Sequence, residues 1–559
     1  MKETLGNDID IMASALSQTP PFELPVLASS SDGSPKSGTG LEMIWPNYPP
    51  GIPNPELLRH LVEVFFVFHP HAKRVVHYPS FMAALSLSPS HPKFPIASIL
   101  HAICAVGALY TAAVTSPPLP DFSAESPDEI FSQRQRLREG RPDSFAEQQA
   151  KYARDTSDEI EAVGDRLLEV MQARTILTWF YWSHSRLASE KYYLILINTV
   201  ELHSITHSHR PASILSPAPT VIDDETRRNL FWLAYCTERL HGCSNGWAMS
   251  MDDQDVSQLL PVRGDHFEKG VLVTPHHRQW AQTRDVIVVH PEDQTDSFVL
   301  WVKGSMIISR AKVFNTRFRS KYHFGDTSVM SPHSEPNNPH EPVDPRGSPA
   351  FTEIDNIAST FRSSFPAHLR NPISNNVVDQ HLYVACLMPL VATIVLHDPH
   401  AEVRRSGCVS ALRIVTAARS ILDLAYEVCS TSFDITLLDP FCSFCWFLAG
   451  RVLVRFLQAA LDVNNTDQIS TLRAELDFLQ NAILRIGQRV PLALRYGRML
   501  GDLVTKRCGE SSQAITSPLS FPRTQAEVDE ADIWFEQPGR SLHESLGLQA
   551  NTMSYMTVG

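Results

Sequence analysis

The sequence predicts an all-α fold, a large multi-helix domain of antiparallel helix pairs with a disordered tail at each end. Apolar residues recur at three- and four-residue spacing in many segments, which is typical of helices with one buried face. Helix starts and stops flank several of these segments. The last third of the chain is almost wholly helical in pattern, and the hydrophobic content of 43% is that of a globular protein.

Composition divides the chain into three parts. Residues 1–44 are rich in Ser, Pro and Gly and predict a disordered N-terminal segment. Residues 45–508 form the predicted domain, and stretches rich in Pro, Ser and polar residues predict exposed insertions at about 115–160 and 323–348. Residues 509–559 predict an acidic, mostly disordered C-terminal tail.

Several helices are predicted from their boundaries. Asn54-Pro55-Glu56 offers a cap, a proline at the first helical position and an acid, and Ser348-Pro349 begins another helix. Residues 171–183 and 191–204 predict an antiparallel pair joined by a short polar turn. The segment 286–291 is either a strand or an extended connector.

The most apolar run of the chain extends from Leu382 to Leu396. It is shorter than the roughly 20 apolar residues that a membrane span needs. Pro389 lies in its middle. We therefore predict a buried, kinked helix and no contact with a membrane.

A heptad pattern runs through residues 469–490. Its apolar members are Ile469, Leu472, Leu476, Leu479, Ile483, Ile486 and Val490. Packing within the domain is the favoured interpretation, and a homodimer through 469–490 is the alternative. Gly487 and Pro491 mark the predicted end of this helix.

The most informative stretch is residues 221–262, hereafter the signature segment, which reads VIDDETRRNLFWLAYCTERLHGCSNGWAMSMDDQDVSQLLPV. Its opening acids complement the positive end of a helix. Asp223 and Asp224 each precede an arginine by four residues, so each can pair with it on one helix face. Residues 230–236 are apolar nearly all round, which predicts a core helix with Trp232 buried in it.

The signature segment resembles that of the fungal-specific transcription factor domain, and FFVFHPHAKRVVHYPSF at 65–81 resembles the opening of the same domain. The resemblance implies an all-helical regulatory module that receives effectors or masks activation. It also implies a nuclear regulator of transcription whose partners are the transcription machinery or other regulators. The signature residues, expected to be structural, are Asp224, Arg227, Arg228, Phe231, Trp232, Tyr235, Arg239, Asp253 and Pro261.

The same family usually carries a zinc cluster, which needs six closely spaced cysteines. Here the first cysteine is Cys104, and the nine cysteines lie scattered in apolar contexts typical of reduced, buried residues. We therefore expect no zinc and no other cofactor in this chain, and contact with DNA only indirectly or through a missing N-terminal motif. The net charge of −13 also argues against a broad basic face for nucleic acid.

No catalytic residue, metal site or cofactor site is predicted. Gly242 to Gly246 match the nucleophile-elbow pattern around Ser244, but an elbow needs a strand before the serine, and here a helix precedes it. A serine hydrolase using Ser244 is thus a remote alternative. Cys442 and Cys445 lack a second cysteine pair and favour buried helical cysteines. A helical protein–protein scaffold without DNA binding is the nearer alternative.

Two charged segments leave alternatives open. A helix predicted over 298–322 carries five cations interleaved with aromatic residues, and these cations are Arg310, Lys312, Arg317, Arg319 and Lys321. A solvated helix face is favoured over a contact with nucleic acid or an acidic partner. In the tail, acidic residues surround the segment Asp532, Ile533, Trp534 and Phe535. This composition agrees equally well with an activation segment and with a short acidic linker.

Overall fold

The protein is described here by a computed structural model that covers residues 47–119, 140–185, 217–245, 249–329 and 343–509. Three predictions fall outside these ranges. They concern the N-terminal segment 1–44, the helix at 191–204, and the tail from residue 510 onward with its possible activation segment.

Fifteen α-helices and one pair of very short strands lie within the described ranges, which confirms the all-α prediction. The helices are α1 (Pro55–Phe68), α2 (Ala72–Val75), α3 (Tyr78–Leu85), α4 (Ala97–Gly107), α5 (Phe145–Val163), α6 (Leu167–Ser183), α7 (Val221–Asn245), α8 (Gly264–Lys269), α9 (Ser297–His323), α10 (Pro349–Thr360), α11 (Gln380–His397), α12 (Val409–Cys429), α13 (Phe441–Asp462), α14 (Thr466–Ile486) and α15 (Pro491–Cys508). The strands β1 (Ile373–Ser374) and β2 (Val377–Val378) pair antiparallel.

Two predicted helix starts have the expected caps. The Asn54 side chain accepts a hydrogen bond of 2.9 Å from the backbone N–H of Leu57 at the start of α1. The Ser348 hydroxyl accepts one of 3.2 Å from the N–H of Phe351 at the start of α10. Each cap satisfies a backbone donor that the helix leaves unpaired, which contributes about 1 kcal/mol.

One continuous hydrophobic core runs through the described helices. Glycines permit two of its closest helix–helix contacts. A Cβ atom on Gly304 of α9 would lie 2.5 Å from the sulfur of Met388 on α11. A Cβ atom on Gly107 of α4 would lie 2.6 Å from the carbonyl oxygen of Leu61 on α1. Both distances are shorter than van der Waals contact, so a larger residue at either position would collide with the neighbouring helix.

The apolar run around Pro389 lies in α11, and the predicted buried helix is confirmed. Two helical stretches are long and apolar enough to cross a membrane by length and composition, Gln380–His400 and Phe441–Asp462. The apolar windows within them are 78% and 67% buried inside the fold. Their apolar character is therefore explained by their position in the core, since a core helix must be apolar on most sides.

The predicted exposed insertion at 115–160 is wrong for its second half. Residues 145–163 form α5, which packs against α4 and α6. Ser144 and Glu147 form a capping box at its start. The buried stripe is made mainly of Ala146, Ala150 and Ala153, and the outer face is charged. A stripe of small residues gives a weak apolar signal, which is why composition alone predicted a loop.

The second predicted insertion, 323–348, begins where α9 ends at His323. Phe324, directly after the helix, is exposed. Residues 330–342 lie outside the described ranges. The flanking parts, including a short helical turn at Pro345–Gly347, return the chain to the start of α10.

The heptad members of 469–490 lie on α14 and directly after it, facing α13 and α15 of the same chain. Leu472, Leu476, Leu479, Ile483 and Ile486 are all buried there, whereas Ile469 is partly buried. This observation supports packing within the domain. The alternative of a homodimer through 469–490 stays a prediction, although most of the apolar side chains that it would use are already covered by α13 and α15.

The segment 286–291 was predicted as a strand or an extended connector, and its first residues form neither. Residues 284–288 form hydrogen-bonded turns, in which the N–H of Val288 donates to the carbonyl of Asp285 at 3.0 Å. Val286 and Ile287 are buried in the core. Burial of these side chains by a turn accounts for an apolar run without a strand.

Candidate functional site

Helix α7 carries the first part of the signature segment and lies in the core, as predicted. Trp232 is 0% exposed, and its indole N–H donates a hydrogen bond of 2.8 Å to the carbonyl of Leu259. Phe231 and Tyr235 are buried against the indole, with ring centroids 5.1 and 5.2 Å from it. The helix and the loop that follows it are therefore held together through the tryptophan.

The first turns of α7 hold a buried ionic cluster. The carboxylate of Glu225, 3% exposed, accepts hydrogen bonds from both Arg228 and Arg278. Arg228 also pairs with Asp224 at 3.0 Å, as the four-residue spacing predicted. Arg278 donates to the carbonyl of Leu260. The cluster fixes the loop after α7, residues 249–262 and hereafter the signature loop, against the helix. Its central residue, Glu225, was predicted only as an acid at a helix start.

A second polar cluster lies further along α7, where three signature residues meet. The Asp253 carboxylate accepts hydrogen bonds from the Tyr235 hydroxyl at 2.8 Å and from Arg239 at 2.9 Å. The guanidinium of Arg239 is fully buried and lies 3.8 Å from the centroid of the Tyr235 ring. Burial raises the pKa of Tyr235 well above its usual value, so its hydroxyl keeps its proton and donates.

The remaining signature residues have structural positions. Pro261 is buried in the loop after α7, next to the backbone N–H of Val262, which lies 3.4 Å from an oxygen of Glu225. Arg227 is partly buried on α7. Asp224 and Arg228 belong to the first cluster, and Tyr235, Arg239 and Asp253 form the second.

A cleft of about 940 Å³ opens beside the second polar cluster. Its walls come from α9, α10, the signature loop and the segments 281–284 and 343–348. Tyr235 and Asp253 line the cleft directly. Its volume lies within the range of about 300–1,000 Å³ that is usual for small-molecule sites.

The cleft combines an apolar wall with an excess of positive charge. Met306, Phe314, Phe318 and Ile354 are among its apolar residues. Its four cationic residues are Arg284, Arg310, Arg317 and Lys321, and its three acidic residues are Asp252, Asp253 and Asp344. Such a lining suits a molecule that has both an apolar body and a negative group.

All three cleft carboxylates already have arginine partners. Asp252 pairs with Arg317, and Asp253 with Arg239. The third, Asp344, lies 2.7 Å from Arg346, whose hydrogen bond lowers the pKa of the carboxyl group. A hydrogen bond from the backbone of residue 254, followed by the arginine, lowers the pKa of Asp252 in the same way. Each of the three carboxylates thus has a cationic partner within the fold.

The prediction of a solvated face for the basic run of α9 needs correction. Three of its five cations, Arg310, Arg317 and Lys321, line the cleft. Lys312 instead donates to the carbonyl of Gly242 at the end of α7. Helical spacing alone does not distinguish a face turned to bulk solvent from one that lines a cleft, because both are polar.

The alternative reactive sites do not have the geometry that their chemistry needs. Ser244 lies in the last turn of α7, where its hydroxyl donates to the carbonyl of His241 at 3.1 Å. A nucleophile elbow would follow a strand. Cys442 and Cys445 are buried in α13, and burial raises the pKa of both thiols well above the usual value. Across the described ranges, no group of three or more His, Cys, Asp and Glu residues could hold a metal ion.

The architecture is that of an all-helical domain with a ligand-sized cleft next to the second polar cluster. Residues 62–288 match the family model of the fungal specific transcription factor domain, which confirms the resemblance seen in the sequence. The match indicates the regulatory region of a fungal transcription factor over residues 62–288. No curated protein and no solved structure matches the chain.

The matched residues end before α9 begins at Ser297. They include the signature segment and Arg284, whereas Arg310, Phe314 and the whole of α10 lie outside them. The cleft is therefore formed partly by the family's framework and partly by helices that the family model does not cover.

Proposed function

We propose that this chain is a nuclear regulator of transcription whose helical domain receives a small-molecule effector in the cleft. It would act through the transcription machinery or other regulators. Contact with DNA would be indirect, or made through a zinc cluster that is missing from this chain. The family match supports the transcriptional role, and the position of the cleft supports the role of a receiver.

The observation that carries the proposal is that Tyr235 and Asp253 belong to the signature and also line the cleft. Both are bonded to each other, and Asp253 is bonded to Arg239 in the core. Helix α7 in turn packs against α6 and α9. An occupant of the cleft would therefore contact a polar cluster that is continuous with the core, and differential contact is what a ligand needs in order to shift a conformational equilibrium.

Tethering tests the transcriptional role. The full chain is fused to an unrelated DNA-binding domain whose sites lie upstream of a reporter gene in a fungal host. We expect reporter transcription to differ from that given by the DNA-binding domain alone, in either direction. An unchanged reporter, with the fusion present in the nucleus at equal abundance, would favour the helical protein–protein scaffold instead.

A tyrosine variant tests the link between the cleft and regulation. Tyr235→Phe removes the hydroxyl that donates to Asp253 and keeps the buried ring. We expect it to change the reporter output of the tethered chain at unchanged abundance. Tyr426→Phe, on an exposed ring stacked on Phe478 outside the cleft, is the matched control and should behave as the unmodified chain.

A further inference from the structure

We propose that the cleft binds an organic anion, a molecule with one carboxylate or a similar acidic group on a sizeable apolar body. This inference rests on the proposed role of the cleft as a receiver and names the chemistry of its occupant. Three observations carry it: the uncompensated cations of the cleft, the apolar surface beside them, and the enclosure of both by separate structural elements.

The cations determine the charge of the ligand. Arginines neutralise Asp252, Asp253 and Asp344, as described above. Within the described ranges, neither Arg310 nor Arg284 has a side-chain hydrogen bond or an ion pair, and Lys321 has none either. The cleft thus has three positive groups with unused donors in a chain whose net charge is −13. A ligand anion would provide the acceptors that these donors lack.

Arg310 is the central group among these cations. It is partly buried on α9, whereas Arg284 and Lys321 are exposed. Charged hydrogen bonds gain strength where water is partly excluded. We therefore assign the main contact with the acidic group to Arg310, and a weaker electrostatic contribution to the two exposed cations.

The apolar residues determine the body of the ligand. Met306 and Ile354 are buried at the cleft wall, and Phe314 and Phe318 present stacked rings with centroids 6.4 Å apart. Phe314 also packs edge-on against Phe351 of α10, at 5.8 Å between centroids. These contacts hold the ring of Phe314 in place, so it offers a fixed apolar surface one helical turn from Arg310.

The shape of the site favours a small molecule over a macromolecule. Arg284 comes from the segment 281–284, Arg310 from α9, and the opposite apolar contacts from α10. The site is a concave space of about 940 Å³ between these elements. A nucleic-acid strand or an acidic peptide would need a continuous basic surface along its length, which the acidic chain does not favour.

A fluorescent anion tests the proposal on the purified full-length chain. The probe is 11-(dansylamino)undecanoic acid, and its methyl ester is the matched uncharged ligand. We expect the acid to bind at least about tenfold more tightly than the ester at low ionic strength, which is the effect of one charge-assisted hydrogen bond. We also expect dodecanoate to displace the acid. Equal binding of acid and ester would overturn the assignment of an anion.

Variants locate the binding. Arg310→Gln should weaken binding of the acid about tenfold and leave the ester unaffected, without a change in melting temperature, because Arg310 makes no bond within the described part of the fold. Arg405→Gln, on an exposed arginine outside the cleft, is the control and should leave both affinities unchanged. A loss of affinity that is the same in both variants would overturn the proposal, as would stronger displacement by a hexaglutamate peptide than by dodecanoate.

Phe314→Ala separates this inference from the proposed function. Suppose that the unmodified chain binds acid and ester equally well and that Phe314→Ala weakens the binding of both. The cleft is then a receiver whose ligand is not selected by charge, so the inference of an anion fails while the proposed function stands. If neither molecule binds and Tyr235→Phe leaves reporter output unchanged, the receiver role itself fails. If the tethered chain gave the same reporter transcription as the DNA-binding domain alone, the transcriptional role would be refuted whatever the binding data show.

Discussion

Replacement of Trp232 by alanine is the most direct test of the proposed core. The side chain is 0% exposed, contacts two other aromatic rings, and donates a hydrogen bond of 2.8 Å to the carbonyl of Leu259. Truncation of a buried tryptophan destabilises by about 3–5 kcal/mol through lost burial and the cavity that remains. It also leaves the Leu259 carbonyl without its donor, at a further cost of about 1–3 kcal/mol.

These two terms together approach the whole stability of an ordinary domain, about 5–15 kcal/mol. We therefore expect Trp232→Ala to accumulate poorly or to unfold at a much lower urea concentration. Trp232→Phe keeps most of the packing and loses the hydrogen bond, so its loss should be smaller, about 1–3 kcal/mol.

Urea unfolding followed by circular dichroism at equal protein concentration is the assay. Trp280→Ala provides the matched control, because that tryptophan is 45% exposed and its replacement leaves no cavity in the core. If Trp232→Ala and Trp280→Ala unfolded within about 1 kcal/mol of each other, the position of α7 in the core would be wrong, and with it the structural basis of the signature segment.

Two further predictions concern buried charge, and a third concerns the C-terminal tail. Burial lowers the pKa of Lys303 from the ordinary 10.5 to about 7, so the unfolded chain binds more protons between these values. The free energy of unfolding should therefore rise with pH across that window, and Lys303→Met should flatten this slope in urea titrations at several pH values. The same slope in the variant and the unmodified chain would contradict the lowered pKa of Lys303. Glu225→Gln leaves the buried Arg278 without a carboxylate partner and Arg228 with Asp224 alone, and should destabilise by about 3–5 kcal/mol in the same assay. Glu402→Gln, in an exposed pair, should change stability by less than about 1 kcal/mol. In the tail, which lies outside the described residues, Trp534→Ala with Phe535→Ala should lower transcription from the tethered chain if the segment activates, and should leave it unchanged if the segment is only a linker.

Local signals in the sequence were enough to predict much of the helical framework. Asn54 and Ser348 cap the helices they were expected to cap, Gly487 follows the last residue of α14, and Trp232 is buried. Each of these features depends on residues a few positions apart, and the physics of caps, turns and amphipathic faces operates at that range. The apolar run around Pro389 was assigned correctly for the same reason.

Features that depend on distant residues were not predictable in this way. Glu225 was seen as a helix-start acid, but its partner Arg278 lies 53 positions away, and nothing in the spacing connects them. The helix α5 was missed because its buried stripe is alanine, although the capping box of Ser144 and Glu147 was a usable signal. The cleft was missed because Arg310 and Arg284 come together only when α9 packs beside the turn that carries the second arginine.

The two polar clusters of the signature segment and the cations of the cleft have different physical roles. Arg239 is fully buried and bonded both to Asp253 and to the buried Glu238, so its removal would leave the Glu238 carboxylate buried without its cation and weaken the fold. Arg310 has no partner within the described ranges, so its removal would leave the fold unaffected and change only what the cleft attracts. The residues that match the family model provide the first kind of contact, and α9 provides Arg310, the partly buried cation of the second kind. A domain arranged in this way can retain one framework while the chemistry of its ligand is set by a helix outside the matched residues, which is why the choice of ligand is expected to follow α9 and not the signature.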